Sequence, residues 1–437
     1  MFRYESRRFS RHISLLVGGL LGSLLMPFGA AVQAAPEWTL SEALETAFEN
    51  SPVLRGKQAE RQEVASRVVG ARTYPYNPEV SLELADRSSP GGSTTDRGLS
   101  ISQELELAGQ RSKRIAVADQ SLAAAEAILL HQRRLLAFQV ESAFAEAVMA
   151  RELLGVATTD AELAREVLAF SERRLERGAA TQIEVNLAQA SAGRAERSLR
   201  RAQASYASAR SRLAELAGAE PQTPPEPVGD LLIPEAEPLL LEDLLALAFE
   251  CRGDLLAAGQ REQAAEAMIR LALAEGKPNL VVGGFYQREE ASDDIVGATL
   301  SLSLPFFNRN QGRIAESRAR RERLRHERAA LRLTVEQEVV AAFNSLQAAR
   351  AAAEHLRNQV LGTLDENVEL LQLSFEAGRI GATEVVTLRR EFVASRREYI
   401  EALADAWLAR IELDLAVGRL SLPEPSLPQP VLAKEPS

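Results

Sequence analysis

The side chains that most often carry catalysis or bind metals are few and scattered in this chain. Beyond residue 34 the histidines are His131, His326 and His355, and none has a second potential ligand three or four positions further on. Cys251, the single cysteine, rules out an intramolecular disulfide and lies in an apolar helical pattern that predicts an inert buried thiol. The run Pro90-Gly91-Gly92-Ser93 fits a loop between strands better than a phosphate-binding loop. We therefore expect no enzyme, no resident metal and no cofactor.

Residues 1–34 have the composition of a signal peptide. Four arginines open the segment, at Arg3, Arg7, Arg8 and Arg11. An apolar stretch from residue 13 to about residue 31 follows, and Val32-Gln33-Ala34 supplies the small residues of a cleavage site. The mature chain is predicted to start at Ala35 and to be exported, and an uncleaved N-terminal membrane anchor is the alternative.

The composition of the mature chain excludes some classes of function. Removing the four arginines and one glutamate of the leader from 51 basic and 61 acidic residues leaves a net charge of −13. This charge argues against nucleic acid as a partner, because nucleic-acid-binding proteins present a basic surface. Aromatic residues make up only 5% of the chain, whereas alanine is frequent. Closely packed helices are a better fit to that composition than a thick globular core, and no mature segment is apolar for long enough to predict a transmembrane helix.

The chain repeats itself after about two hundred residues. Residues 175–185 read LERGAATQIEV and residues 375–385 read FEAGRIGATEV. The prolines repeat as well, since none falls between Pro90 and Pro221 or between Pro305 and Pro423. We interpret residues 35–220 as a first structural repeat, 221–240 as a proline-rich linker, 241–420 as a second repeat and 421–437 as a proline-rich tail.

Each repeat is predicted to contain one very long helix. The helices are expected at residues 103–177 and 310–377, and at about 1.5 Å per residue each would be roughly 100 Å long. In the second helix the apolar positions from Leu331 to Phe375 make twelve steps over 44 residues, or 3.67 residues per step. That period is closer to an eleven-residue repeat than to a heptad and suits helices packed side by side in a wide cylinder. A free coiled-coil dimer is the alternative.

A pair of short strands is predicted just before each long helix. One face of these strands is apolar, at Val80, Leu82, Leu84, Val296, Ala298, Leu300 and Leu302. The other face is polar, at Ser81, Glu83, Thr299, Ser301 and Ser303. This alternation is typical of a membrane β-barrel whose polar residues line a watery lumen, although an ordinary half-buried hairpin is the alternative for either pair. Residues 86–97 and 288–294 are predicted to be surface loops, and Tyr74, Tyr76, Phe306 and Phe307 to form an aromatic girdle.

Four strands cannot close a membrane barrel, since an open sheet edge in lipid would leave backbone groups without hydrogen bonds. The chain must therefore form an oligomer in which each copy contributes four strands. The number of strands alone permits two, three or four copies.

These features together resemble the TolC-type outer-membrane efflux channel family over essentially the whole mature chain. The resemblance rests on the paired openings LSEAL at residues 40–44 and LEDLL at 241–245, and on the two glycine-centred turns. QELELAGQR at residues 103–111 and LPFFNRNQG at 304–312 look like the heavy-metal (CzcC-like) branch of that family. The fold that this implies is mainly α with a small transmembrane β part, a duplicated long α-helical barrel with four strands per protomer. Three copies would close a 12-stranded barrel in the outer membrane, and the linker would wrap the helical tunnel at its equator.

The resemblance also implies partners and sites. The channel would join a periplasmic adaptor (membrane fusion protein) and an inner-membrane proton-driven transporter of the resistance–nodulation–division (RND) type. The adaptor would dock on the two turns, at Leu175, Arg177, Gly178, Ala179, Ala180 and Thr181 and at Phe375, Gly378, Arg379, Ile380, Gly381 and Thr383. Thr181 and Thr383 are expected to cap the returning helices. A plain bend between helices is the alternative reading of both turns.

A gate at the periplasmic entrance is the last implied site. Glu384 occupies a position where this family often carries an acidic ring, while Thr387 stands where a second acid is common, so a double ring is in doubt. Three carboxylates in a ring would attract cations, whereas on one helix Glu384 reads equally well as a solvated surface residue. Overall the sequence predicts an outer-membrane exit duct for substrates such as heavy-metal cations. An outlet for type I protein secretion and a soluble periplasmic scaffold are the alternatives.

Overall fold

The computed structural model describes residues 36–89, 92–219, 223–238, 240–289, 293–358, 370, 373–375, 377 and 379–419. The predicted signal peptide and the predicted C-terminal tail lie outside these residues. The first repeat contains β1 (Glu37–Trp38), α1 (Leu40–Asn50), α2 (Pro52–Arg72), β2 (Glu79–Ser89), β3 (Gly92–Leu105), α3 (Gln110–Glu176) and α4 (Gln182–Ala217). A two-residue strand, β4 (Glu226–Pro227), lies in the linker. The second repeat contains α5 (Leu241–Cys251), α6 (Gly253–Glu275), β5 (Leu280–Glu289), β6 (Asp293–Leu302), α7 (Gln311–Leu356) and α8 (Ala382–Val417).

Local sequence signals explain where the short helices begin. Thr39 and Glu42 form a capping box in which each side chain binds the other residue's backbone N–H, so α1 starts at Leu40. The Ser51 hydroxyl accepts a hydrogen bond from the N–H of Leu54, and Pro52 occupies the first turn of α2, where no N–H is needed. Both returning helices end at a left-handed glycine, Gly218 after α4 and Gly418 after α8.

The first long helix begins seven residues later than predicted. Residues 103–105 belong to β3 because they pair with Val282, Val281 and Leu280 of β5. Gly109 then takes a left-handed backbone conformation at the helix cap, with φ of 68°. The helix ends at Glu176, one residue before its predicted end. The second long helix begins at Gln311 as expected within one residue, and its course beyond residue 358 lies largely outside the described residues.

The four longer strands form one antiparallel sheet in the order β2-β3-β5-β6. The two predicted surface loops are wrong over most of their length. Residues 86–89 pair with residues 92–95 to prolong the first hairpin, and Arg288 pairs with Asp294 in the second. Cross-strand contacts explain this extension, since the hydroxyl of Thr95 donates to the carboxylate of Asp86 at 2.8 Å and Tyr286 and Arg288 both bind Asp294.

In the described part of the chain, α1, α2, α4, α6 and α8 pack on the long helix α3, whereas α5 and α7 pack on α8. The helix α3 contacts α2 and α6 on its half nearer the sheet, and α4 and α8 on its half nearer the turns. The predicted apolar stripe of α7 is confirmed over its described part, where Val335, Val339, Leu346 and Ala353 are all fully buried. Val335, Val339 and Leu346 pack with Leu413 and Val417 of α8. Ala353 packs with Leu403 and Ala406 of the same helix. In the described part of the chain, no helix has the length and apolar character needed to cross a lipid bilayer.

The linker between the repeats is tied to the long helices by arginine side chains. Arg151 of α3 donates to the backbone oxygens of Pro227 and Gly229, and Arg210 of α4 donates to Pro225 at 2.9 Å. Further along, Arg350 of α7 donates to Pro234, and Arg419 binds the buried carboxylate of Glu237. The linker therefore crosses helices of both repeats and holds them together through charge-assisted hydrogen bonds.

Candidate docking tips and tunnel wall

The first glycine-centred turn is a tightly bonded helix end followed at once by a capped helix start. Gly178 is left-handed with φ of 72°, and its N–H donates to the oxygen of Leu175 at 2.9 Å. The N–H of Ala179 reaches back to Arg174 at 2.8 Å, which completes the helix terminus. Thr181 caps α4 as predicted, since its hydroxyl accepts a hydrogen bond from the N–H of Glu184. The exposed residues at this end are Arg177, Gly178, Ala179 and Thr181, while Leu175 and Ala180 are partly buried.

The second turn makes the equivalent backbone hydrogen bond, but the helix that follows it is capped differently. The N–H of Arg379 donates to the oxygen of Ser374 at 2.9 Å. The prediction that Thr383 caps the returning helix is wrong, because α8 already begins at Ala382 with Gly381 at the cap and no side-chain hydrogen bond there. Burial of Ala382 in the apolar cluster at this end sets that start. Gly378 lies outside the described residues, and Arg379, Gly381 and Thr383 are exposed.

The second turn packs directly on the first repeat. Phe375 is 4% exposed, and its ring lies 4.7 Å from the ring of Phe170 on α3, measured between centroids. A small apolar cluster surrounds this contact and contains Val167, Ala188, Ala382, Val385 and Val386, with Ile380 at its edge. Phe375 is thus a packing residue within one chain rather than an exposed docking residue.

A buried ion pair that the sequence analysis missed joins the repeats just above this cluster. Arg389 of α8 donates to the carboxylate of Asp160 at 2.7 Å and to the backbone oxygen of the same residue at 2.7 Å. Its second terminal nitrogen donates to the hydroxyl of Ser191 on α4 at 2.7 Å. The side chains of Arg389 and Asp160 are 6% and 12% exposed. One guanidinium group therefore connects three helices.

The electrostatics of this bridge follow from its burial. Loss of hydration lowers the pKa of Arg389, and it raises the pKa of Asp160 even though the nearby Arg389 opposes that shift. The pair therefore adds little net stability, because the loss of hydration of the two charges offsets their attraction. A signal was present in the sequence, because Arg389 follows Val385 by four residues on the buried face of α8, where a charge requires a partner.

The predicted gate residues lie on the first turns of α8. Glu384 and Thr387 are exposed in the single chain, and the hydroxyl of Thr387 donates to the backbone oxygen of Thr383 at 2.9 Å. The structure of one chain places both on the surface next to the tips. Whether three copies bring these residues into a ring stays a prediction.

The sheet separates apolar from polar side chains across all four strands. Directly paired residues of antiparallel strands share a face, and the register aligns Leu82 with Leu99, Leu99 with Tyr286 and Tyr286 with Val296. The apolar face is open to solvent in one chain, with Leu82 at 72% and Leu300 at 74% exposure. The register puts Ser81, Glu83, Thr299 and Ser301 on the opposite face, and Ser303 lies just beyond the end of β6. On that opposite face the ring of Phe285 covers Gly297.

Ligands for a metal do not come together in the described residues. No group of three or more histidine, cysteine, aspartate or glutamate side chains is placed to hold an ion there. His131 of α3 is half-buried where Gly253 at the start of α6 packs against it, and this partial burial lowers its pKa. It is therefore a packing residue.

Comparison with known proteins identifies the protein family of this chain. A family model described as "Outer membrane efflux protein" matches residues 43–219 and 244–419, one range within each of the two predicted repeats. The cobalt-zinc-cadmium resistance protein CzcC of Cupriavidus metallidurans is 28% identical over 391 residues, which cover 89% of this chain and 91% of CzcC. The crystal structure of CusC, a protein that forms a transmembrane channel, matches with a TM-score of 0.71 at 19% identity, covering 87% of this chain and 92% of CusC. The open state of the Neisseria gonorrhoeae MtrE outer membrane channel matches at 0.69 and 18% identity, covering 88% and 89%.

Proposed function

The chain belongs to the outer membrane efflux protein family, and from that premise we propose that it is the exit duct of a tripartite pump for divalent heavy-metal cations. The observation that carries the choice of cargo is the similarity to a cobalt-zinc-cadmium resistance protein across nine-tenths of both chains. Selection of the metal belongs to the partner pump in this proposal, because the described residues offer no ion-binding cluster of their own. The duct needs only a wide, hydrated passage.

The proposed assembly is a homotrimer in the outer membrane. Its barrel would contain twelve strands, with the apolar face of each four-stranded sheet toward lipid and the polar face toward the lumen. This proposal is supported by the two unpaired sheet edges, β2 and β6, and by the apolar surface that one chain leaves exposed. We further propose export by a signal peptide at residues 1–34, and tunnel helices that extend into the periplasm.

The proposed partners are a periplasmic adaptor and an RND transporter of the inner membrane. The adaptor would contact the exposed part of both turns, at Arg177, Gly178, Ala179 and Thr181 and at Arg379, Gly381 and Thr383, with Gly378 included from the sequence repeat. Glu384 and Thr387 would line the entrance beside these tips. A protein-secretion outlet and a soluble scaffold are not favoured by the family match or by the CzcC similarity.

A complementation experiment tests the proposed cargo. In a strain that lacks this gene but keeps the pump and the adaptor, we expect plasmid-borne protein to restore growth in cobalt, zinc or cadmium salts. Growth in organic toxic compounds and the secretion of proteins serve as parallel readouts. Restored secretion without any change in metal tolerance would overturn the proposal in favour of a secretion outlet.

The orientation of the sheet gives a first prediction. Leu300→Arg is expected to destabilise membrane insertion by about 2–4 kcal/mol when the residue lies near the middle of the bilayer, since the charge would face lipid. Ser301→Arg is the matched control on the neighbouring residue of the same strand, and it should insert normally but change the ion conductance. Folded trimer recovered from outer membranes is the measurement, and equal yields of both variants would contradict the orientation.

Docking at the tips gives a second prediction. Gly178→Trp is expected to abolish metal tolerance while trimer yield stays normal, because within the described residues nothing lies within 4 Å of an added Cβ at this position and the bulk would meet the adaptor. Gly178→Asn controls for the left-handed backbone, which asparagine tolerates, and should retain most activity. Tryptophan at Gly378 should act similarly. Full metal tolerance in the variant with both tryptophans, or failure of an Arg379→Cys variant to cross-link to the adaptor, would show that the turns only connect helices and do not bind the adaptor.

A further inference from the structure

The strand β6 is shorter at its C-terminal end than β3, its equivalent in the first repeat. The sequences of β3 and β6 align at an offset of 201 residues, so that GLSIS at residues 98–102 matches TLSLS at 299–303. The helices that follow, α3 and α7, both start with a left-handed cap residue and a glutamine. The first strand, β3, continues to Leu105, whose equivalent in the second repeat is Phe306. The second strand, β6, stops at Leu302, so residues 303–306 form no strand. Phe306 is left 69% exposed.

The reason for this difference is the presence or absence of a neighbouring strand. Residues 102–105 of β3 are paired because β5 lies beside them, with Ser102 opposite Gly283 and Leu105 opposite Leu280. The strand β6 is at the edge of the sheet, and within the described residues nothing lies on its outer side. An unpaired edge that ends in exposed apolar residues is a template for another strand.

The pairing of β3 with β5 inside the chain shows how the edge strand β6 could pair with another strand. There, the amide nitrogen of Gln110 donates to the side-chain oxygen of Asn279 at 2.8 Å, and Asn279 donates to Glu104 at 2.7 Å. The segments that open β2 and β5 align at an offset of 200, because NPEV at residues 77–80 matches KPNL at 277–280. Glu79 is thus the equivalent of Asn279.

The residues at the equivalent positions, Gln311, Pro305 and Glu79, could form a similar polar contact between two copies. Gln311 replaces Gln110 and keeps the same local bond, in which its side-chain oxygen accepts from the N–H two residues earlier. Pro305 replaces Glu104, so an acid at position 79 of a neighbouring copy would meet no second carboxylate. Glu79 is exposed and its backbone pairs with Ser102, but among the described residues its carboxylate has no hydrogen-bond or ion-pair partner. The side-chain amide nitrogen of Gln311 donates one hydrogen to the backbone oxygen of Phe307 at 3.0 Å, and its second hydrogen can be donated to the carboxylate of Glu79.

We propose that the edge of β6 and residues 303–306 are covered by β2 of a second copy, in a register that places Leu304 opposite Leu82 and Phe306 opposite Val80, with Gln311 donating to Glu79 of that copy. This inference rests on the trimer of the proposed function and specifies how its copies join. Residues 303–306 become strand only on assembly. The register keeps Leu302, Leu304 and Phe306 on the same face as Leu82 and Val80, so the apolar face continues unbroken from one copy to the next.

Disulfide cross-linking tests the register. In a Cys251→Ser background, the double variant Leu304→Cys/Leu82→Cys should give covalent trimers on mild oxidation. Leu304→Cys/Leu84→Cys, two residues out of register, should cross-link about tenfold less, because a disulfide needs the short separation of directly opposite residues. Light scattering of the detergent-extracted protein reports the trimer independently. Absence of any trimer would count against the proposed function, whereas a trimer whose 304/84 pair cross-links as well as the 304/82 pair would overturn only this register.

The polar contact is tested by charge reversal and rescue. Gln311→Glu should place two carboxylates opposite each other and lower the temperature at which trimers dissociate. Adding Glu79→Lys should restore that temperature, while Glu79→Lys added to the wild-type chain should not raise it. An unchanged dissociation temperature for Gln311→Glu would show that turn 303–310 faces lipid or solvent instead of a second copy.

Discussion

Replacing Arg389 by alanine is expected to destabilise each protomer by about 3–5 kcal/mol, because the carboxylate of Asp160 would remain buried without its partner. The loss should concentrate at the tips, since Arg389 links α8 to both α3 and α4. Thermal unfolding followed by circular dichroism measures the overall effect. Cleavage by trypsin after Arg177 or Arg379 measures the local one, and it should be faster in the variant because local opening exposes the turns.

The double variant Asp160→Ala/Arg389→Met separates the ion pair from simple packing. Removing both charges leaves no unpaired buried charge, and the methionine chain fills part of the same space. The buried hydroxyl of Ser191 loses its donor in both the single and the double variant, so this loss does not distinguish them. We expect its stability to return to within about 1–2 kcal/mol of the natural chain. If the single and the double variants were equally unstable, the cost would come from lost volume, and the bridge would not hold the tips together.

Much of the fold can be predicted from the sequence, because the apolar patterns of its helices and strands extend over many residues. The apolar stripe of α7 and the alternation at Val296, Ala298, Leu300 and Leu302 each repeat several times, so local exceptions do not hide them. The sheet register then follows from the same alternation, since a shift by one residue would turn every apolar side chain to the wrong face. The duplication added a second, independent copy of each signal.

The errors occurred where a distant partner decides the local structure. Residues 86–89 and 92–97 are rich in polar and small side chains and resemble loop, yet the facing strand pairs with them and Arg87 binds Asp96 at 3.1 Å. The sequence predicts a helix at residues 103–105, because their strand partner β5 lies about 180 residues away in the sequence and gives no local signal. The residue type alone predicts a cap at Thr383, whereas α8 begins at Ala382, which is buried in the apolar cluster.

The candidate site also contains one part that the sequence predicts and one part that it does not. The first turn is predictable from the sequence, because a left-handed glycine followed by a threonine cap is a local motif, and Gly178 and Thr181 have those roles. The threonine cap predicted for the second turn is wrong. The Arg389–Asp160 bridge was not predictable, because its members are separated by 229 positions. Single-sequence reasoning can flag a charge on a buried face but cannot choose its partner from the many acids of this chain.

A buried carboxyl group near the linker should make the stability of the protein depend on pH. Glu141 of α3 borders a cavity of about 170 Å³ that is otherwise lined mainly by apolar side chains, including Phe144, Leu231 and Ile411. In the described part of the chain its carboxyl group has no hydrogen-bond partner, and the indole nitrogen of Trp407 on the same cavity has none either. Burial, with a smaller contribution from the negative charge of Asp414, raises the pKa of Glu141 to about 7.

The direction of the effect follows from which state binds more protons. Between pH 4.5, the ordinary pKa of the carboxyl group, and about pH 7, the folded chain keeps the proton on Glu141 while the unfolded chain releases it. Stability contributed by this group is therefore present below the ordinary pKa and falls as the pH rises to about 7. The shift corresponds to at most about 3 kcal/mol per protomer, at 1.36 kcal/mol per pKa unit.

Glu141→Gln is expected to remove this dependence. The neutral amide resembles the protonated acid, so the variant should match the natural protein at pH 5 and exceed its stability by about 1–3 kcal/mol at pH 8. Thermal unfolding of detergent-solubilised protein at pH 5, 6, 7 and 8 measures the difference, and Glu152→Gln, at a more solvent-exposed site further along α3, is the matched control. Parallel stability curves for the natural chain and Glu141→Gln would show that the carboxylate is hydrated in the assembled channel. A gap that opens between pH 5 and pH 7, and is absent for Glu152→Gln, would locate the pH dependence at this one buried group.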